Sequence, residues 1–355
     1  MKADHFHTII IGAGPAGLRC ARTLAASGKR VLVCEKNRAI GPKTCAGGVT
    51  CSGLSQAIPP QLVERHFSIQ NVSSTLQQAR LIAEKPMVAT VNREDLGHWL
   101  AAAAAEAGAT ILTGTTVRQI TATEIVTNHG RYGFDCLVGA DGSNSLVRRF
   151  LGLPITKMGV GIQYHIPSSM PEMVWHLDPR HLHTGYCWIF PQAHRTSVGA
   201  YCFRRHMNPK SLKKYLQAWL DSREIPYQGL RAEAANINFD YQGWHFKNIF
   251  LAGDAAGLAS GLTGEGILPA MISGEEIAAT ILNPGHQPHH LNRLIKNHQR
   301  HTRLLLLAGK NKFGCQLIME SLILALKLKI IPFSALEMAT EEAPHARTKK
   351  EDPAL

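Results

Sequence analysis

The sequence predicts an α/β protein in which a parallel-sheet unit carries an inserted, mainly antiparallel β-sheet lobe and closes with C-terminal helices. Three observations predict it. Near the N-terminus an apolar run, 8–11, passes through a glycine turn into helical spacing over 15–27 and then a second apolar run, 31–34. Between 159 and 239 the pattern changes to strands that read as half-buried, at 161–166, 185–190 and 197–203, with one helix over 209–220. The chain then returns to an apolar strand at 248–251, a glycine-rich turn and a helix that ends near Leu282, ahead of Pro284.

The first of these is a βαβ unit in compact form, the core of a Rossmann-type domain. Asn92 caps a helix that opens at Arg93 and runs through Trp99, Leu100 and an alanine-rich stretch to Ala107, where Gly108 stops it. Strands follow around Ile111, Val117 and Ile125, and an apolar strand leads to Gly139. Two helical segments follow Pro284, and the charged, proline-containing tail is expected to be disordered. The expected organisation is a discontinuous Rossmann-type domain over 1–158 with 245–285, a substrate lobe over 159–244, C-terminal helices over 286–338 and a tail over 339–355.

A chain of 355 residues with 45% apolar content fills a real core. Its eight cysteines form no C-x-x-C pair and no regular framework, which suits a reducing compartment, and the first strand lacks the cleavage site of a signal peptide. The expected location is therefore the cytoplasm. The formal charge of +12 raises nucleic acid as a partner, but no basic block is interleaved with aromatics. The densest basic region, 293–329, lies among leucines and isoleucines, a mixture suited to an anionic cofactor or the inner face of an anionic membrane. Lys310, Lys312, Glu320, Lys327 and Lys329 keep any uncharged stretch below the ~18 residues of a membrane span. Two readings stay open there: helices that complete the core, or a helix lying peripherally on the bilayer.

The strongest local signal is Gly12-Ala13-Gly14-Pro15-Ala16-Gly17 with Glu35 closing the next strand. Gly12 makes the tight turn, Gly14 lets backbone approach a pyrophosphate, and Gly17 permits close packing of helix on strand. The helix N-terminus stabilises the phosphates, and Glu35 accepts hydrogen bonds from ribose hydroxyls. That motif alone does not choose between NAD and FAD. Two later segments do: 138–143 with Asp141, Gly142 and the later Arg148, and 250–256 with Gly253 and Asp254. Each delivers an aspartate beside small residues at the end of a buried strand, where a carboxylate can meet a polyol.

With these motifs the sequence resembles the p-hydroxybenzoate hydroxylase superfamily of flavoproteins, and within it the geranylgeranyl reductase family, from Thr8 to about Leu282. The resemblance implies noncovalent FAD. It places Asp254 on the ribityl chain, Asp141 near the pyrophosphate, and Arg93 beside the cofactor. It puts the turn Gly264-Glu265-Gly266-Ile267 at the flavin pyrimidine ring, where a helix N-terminus stabilises charge on the reduced flavin. Lys36, next to Glu35, and Val117 are further cofactor contacts on this reading.

Two segments resemble the reductases specifically. Pro42-Lys43-Thr44-Cys45-Ala46-Gly47-Gly48 is similar to their P-x-x-C-G-G-G loop at the isoalloxazine, with Ala46 in place of the first glycine. That substitution puts a hinge in question, because alanine resists positive φ. Tyr186-Cys187-Trp188-Ile189-Phe190-Pro191 resembles Y-x-W-x-F-P, and alternation sets Tyr186, Trp188 and Phe190 on one face as an aromatic wall for a prenyl chain. Cys45, Tyr186 and Trp188 are the candidate catalytic residues.

The resemblance implies hydride transfer from reduced flavin N5 to a carbon–carbon double bond of an isoprenoid lipid, with electrons from an external donor, a reduced nicotinamide or a redox protein. Because the aromatic segment is similar also to the W-x-W-x-I-P of flavin-dependent halogenases, a halogenase or monooxygenase is the alternative. A flavin-binding protein without turnover is a third reading, raised by Ala46. Histidine pairs at 5 and 7, 181 and 183, and 289–290 lack a carboxylate or cysteine partner in sequence, so no metal is expected.

Overall fold

The computed structural model describes residues 4–51 and 54–339. The parallel sheet forms around Asp4–Ile11, which pairs in parallel with Val31–Cys34 on one side and Gly130–Gly139 on the other. Thr110–Leu112 and Ile249–Leu251 extend it outwards, also in parallel. His245–Phe246 adds an antiparallel edge, and the antiparallel strands Val117–Ile120 and Glu124–Thr127 join at Gly130–Gly139. The inner ends of the central strands, 9–11, Val31–Cys34 and 137–139, are apolar and buried because both faces of such a sheet are covered. The helix Pro15–Ala26 packs on Ile267–Leu282 closely enough that a Cβ on Gly274 would stand 2.1 Å from Ala16 O.

A seven-stranded sheet forms the second lobe, in the order Glu233–Asn238, Met158–Ile166, Thr196–Phe203, Tyr186–Pro191, Val174–Leu177, Ile69–Ser73, Gln78–Ile82. The lobe is therefore not confined to 159–244. Ile69–Ser73 runs parallel to Val174–Leu177 across about a hundred residues of chain, a pairing that no local alternation encodes. The strands read as half-buried are also buried on both faces: all eight residues of Thr196–Phe203 are buried. The helix Pro209–Asp221, capped by the Asn208 side chain, covers one face with Leu212, Leu216 and Leu220 against Ile162, Ile189 and Val198. Tyr186, Trp188, Phe190 and Tyr201 take the other.

The helices His289–Ala308 and Lys312–Lys327 tie the two sheets together. Leu291 and Leu294 pack into the cluster of Phe6 and Ile9 under the parallel sheet, whereas Ile323 packs on Val72 and Ala79 of the second. The tail from 340 to 355 lies outside the described residues.

Candidate active site

Each glycine of the first turn has a distinct physical reason. Gly12 has φ +106°, and a Cβ there would sit 2.3 Å from Ala140 O; at Gly17 it would sit 2.1 Å from Gly12 O. Gly14 differs, because a Cβ there would meet nothing within 4 Å. The first two serve the fold, and the third leaves an open cradle. Gly14 is the N-cap of Pro15–Ala26 and offers no side chain to its N–H groups, so this helix end is left with unsatisfied donors. Glu35 holds the turn: one carboxylate oxygen accepts from Ala13 N and the other from Asn37 N, both at 2.8 Å. Its remaining lone pairs are what a ribose could use. Lys36 is exposed on the following loop, and Val117 is a partly buried strand residue just beyond Thr115, whose N donates to Glu35 O.

The two aspartate segments meet. Asp254 Oδ2 lies 3.1 Å from Ser143 Oγ and 3.3 Å from Lys43 Nζ, so the second half of the chain, the 138–143 segment and the cysteine loop converge on one carboxylate. Gly253 supports it with φ +54° and an N–H donated to Ser273 Oγ at 2.9 Å. Asp141 Oδ2 accepts from Leu146 N at 2.5 Å and from Val147 N at 3.3 Å, and burial raises the carboxyl above its ordinary range. Its other oxygen is buried without a partner. Arg148 is wholly buried and donates to Asp240 O at 2.6 Å, a structural role.

Of these groups Lys43 and Asp254, with Pro15 next to Gly14, border one large cleft of about 1800 Å³, open in part to solvent, that runs between the two sheets. Pro15, Lys43, Cys45 and Asp254 stand at one end, and Met319, Leu322, Ile323 and Leu326 of the C-terminal helix at the other. Arg93 lies in its wall, buried, with Nη1 unpartnered. A first-turn residue of a helix is usually solvent-facing; this one is turned inward. Gly264, Gly266 and Ile267 line the cleft at the start of Ile267–Leu282, whose N-cap, Gly266, again supplies no side-chain acceptor. An open glycine cradle, two helix N-termini without side-chain caps, an inward arginine with an unpartnered nitrogen and two polyol-ready carboxylates fit FAD.

The loop residue Ala46 is in an ordinary backbone conformation, since the positive φ of the segment, +79°, falls on Gly47. The hinge in question therefore sits one residue later, and alanine costs nothing there. Cys45 is a half-buried free thiol in the cleft, its Sγ 3.4 Å from Gly47 N. Gly48 is tight for another reason: a Cβ would meet the Phe190 ring at 2.7 Å.

Tyr186, Trp188 and Phe190 all face the cleft. Trp188 lies over Gly199, where a Cβ would be 2.2 Å from the indole, and its Nε1 donates to Ser197 Oγ at 3.0 Å. The Tyr186 hydroxyl donates to Thr263 O, and burial, with Cys45 beside it, holds the phenol protonated far above its usual range. Trp175, from a strand not expected from sequence, completes the wall, with its ring 4.6 Å from Phe190 and 5.3 Å from Tyr186.

The glycines of the 264–267 turn mask one further residue of the cleft. Glu265 lines the cleft, with Oε1 3.1 Å from Thr50 Oγ1 and Oε2 accepting Met338 N at 2.8 Å. Burial, aided by neighbouring Glu337, pushes its carboxyl up to about 7. An acid between two glycines and an apolar helix was the available signal.

Two of the histidine pairs meet other partners: His5 bonds Asp135, His181 bonds Asp178, and His183 stacks on His206 at 4.3 Å.

The comparisons agree with this geometry. The FAD binding domain family matches residues 5–273. Geranylgeranyl diphosphate reductase of Rhodobacter capsulatus is 30% identical over 80% of this chain and 77% of its own. Digeranylgeranylglycerophospholipid reductase 2 of Methanothermobacter thermautotrophicus is 30% identical over 79% of each chain. A solved geranylgeranyl bacteriochlorophyll reductase-like protein from Thermoplasma acidophilum shares the fold at a TM-score of 0.77, with 20% identity over 94% of this chain and 95% of its own. The chain belongs to the geranylgeranyl reductase family of FAD-dependent oxidoreductases that act on carbon–carbon bonds.

Proposed function

We propose that the protein reduces carbon–carbon double bonds in the isoprenoid chain of a polyprenyl-type lipid, drawing electrons from an external donor and the lipid from an anionic membrane surface. The observation that carries this reading is the single cleft that joins the cofactor-ready end to an aromatic wall and then to an apolar helix. A polar or charged substrate would be left unpaired along most of that length. When bound and reduced, FAD supplies a hydride equivalent from N5 to one alkene carbon.

The chain's own residues supply position, dryness and a proton. Gly14, Arg93, Asp141 and Asp254 bind the cofactor, and Glu35 holds the turn that receives it. Trp188, Phe190 and Trp175 hold an extended chain flat and exclude water. Hydride addition to one alkene carbon requires a proton at the other. Glu265 is the cleft residue that holds one near neutral pH, and Tyr186, fixed on Thr263 O, orients the substrate rather than giving up its own proton. Cys45 packs against the reacting segment from the cofactor side. The test is a single turnover with reduced enzyme and a geranylgeranyl lipid, followed by mass spectrometry. A gain of two hydrogens per reduced bond supports the reading, and an unchanged lipid opposes it.

A further inference from the structure

The helix Lys312–Lys327 is apolar on two faces, and among the described residues only one of them is packed against. Its inner stripe, Cys315, Met319, Ile323 and Leu326, is buried, and Met319, Ile323 and Leu326 also line the cleft. Its outer stripe follows the same helical spacing one face away: Phe313 is 80% exposed, Leu317 59%, Leu324 47% and Leu328 59%, with Ile330 at 71% just beyond. Leu307, at the end of the preceding helix, is 55% exposed. Large apolar side chains at this density on one face are more than scattered surface leucines.

Charge says what covers them. Lys310 and Lys312 stand at one end of the stripe, Lys327 and Lys329 at the other, all exposed. The helix's acid, Glu320, is turned away onto the Ser74 hydroxyl and the Gln77 side chain, each at 2.7 Å, so it does not neutralise the outer face. A second copy of this chain would bring the same lysines together around a shared apolar seam, an arrangement that like charges oppose. A bilayer with anionic headgroups accepts both parts at once: the leucines and phenylalanine enter the acyl boundary and the lysines reach the phosphates.

We infer that the outer face of Lys312–Lys327 docks the protein on an anionic bilayer, and that the same helix, through its inner stripe, opens the cleft directly to the lipid phase. This rests on the proposed lipid reading for its purpose but not for its test. A prenyl chain then passes from the membrane into the cleft along one helix without crossing water.

The test uses FAD-loaded protein and vesicles that contain no prenyl lipid, so it is independent of turnover. Flotation is measured with phosphatidylcholine vesicles and with vesicles carrying phosphatidylglycerol, at low and high salt. Expected is binding to the anionic vesicles only, weakened by salt. Changing Lys310, Lys312, Lys327 and Lys329 to Gln should weaken it at least about tenfold, and so should Phe313→Ser with Leu317→Ser. Both variants should keep their flavin absorbance and reduce a detergent-dispersed prenyl lipid as the wild type does. No binding to anionic vesicles at low salt overturns the inference, as does binding indifferent to both variants. A wild-type dimer that Phe313→Ser with Leu317→Ser converts to a monomer also overturns it, because the occupant is then a second copy.

Discussion

Replacing Glu265 by glutamine removes an ionisable group and keeps its shape. The amide oxygen can still accept Met338 N, and its NH2 can donate to Thr50 Oγ1, so both hydrogen bonds of the carboxyl survive. What changes is the response to pH. A carboxyl moved from 4.5 to about 7 is disfavoured as an anion by about 3 kcal/mol at 1.36 kcal/mol per pH unit. The folded state keeps its proton between pH 4.5 and about 7 while the unfolded chain has lost it. Stability from this site is therefore complete below pH 4.5, falls as pH rises through that window and is flat above it. Urea unfolding from pH 4.5 to 8 should show Glu265→Gln equal to wild type at the acid end and more stable by about 2–3 kcal/mol at pH 8. Turnover should move the opposite way. Flavin content is kept, the rate of lipid reduction falls about a hundredfold, and the wild-type decline above pH 7 disappears from the variant. Parallel stability curves, or a variant with the wild-type rate and pH profile, would refute the assignment of Glu265 as a neutral proton source.

Gly14→Val and Gly17→Val should separate cofactor binding from folding: at the first the Cβ meets no protein atom within 4 Å, so a folded protein with little FAD is expected, whereas the second strikes Gly12 O and lowers the melting temperature as well. Asp254→Ala should cut FAD affinity by roughly 2–5 kcal/mol, read by flavin titration, because Ser143 and Lys43 lose their common acceptor. Trp188→Ala and Cys45→Ser should keep flavin yet slow lipid-dependent reoxidation, and loss of folding in both would make them core residues instead. Burial lowers His298 and His301 to about 4, so the stability they allow is present above pH 6.5 and is lost as pH falls towards 4; His298→Gln should flatten that acid limb in thermal denaturation.

The glycine turn was legible because its main constraints are local: Gly12 carries the turn's positive φ of +106° and Gly17 answers to Gly12 O, although the close approach of Ala140 O to Gly12 comes from a distant strand, and the spacing to Glu35 follows from the shortest βαβ path. The aromatic wall was legible for a similar reason, since alternation along Tyr186–Pro191 fixes which side chains share a face. Long-range pairing was not. The hairpin of Ile69–Ser73 and Gln78–Ile82 joined the second sheet through Val174–Leu177, and its own pattern says only that it is a hairpin. Burial of Thr196–Phe203 on both faces was hidden because alternation reports contrast between faces and this strand has none. The position of Arg93 at the start of its helix did not turn it inward, which only the family resemblance implied, and Glu265 was obscured by the glycines on either side. The C-terminal helices posed a choice between core and membrane; Lys312–Lys327 carries one stripe for the core and a second that stays exposed among the described residues.

The most direct measurement reduces the bound FAD without oxygen and follows its absorbance after adding a geranylgeranyl lipid or the fully saturated lipid of the same length. The account predicts reoxidation by the first and none by the second. Equal rates with both lipids, or flavin that stays reduced until oxygen is admitted, would contradict it, and the second result would point to the monooxygenase or halogenase reading.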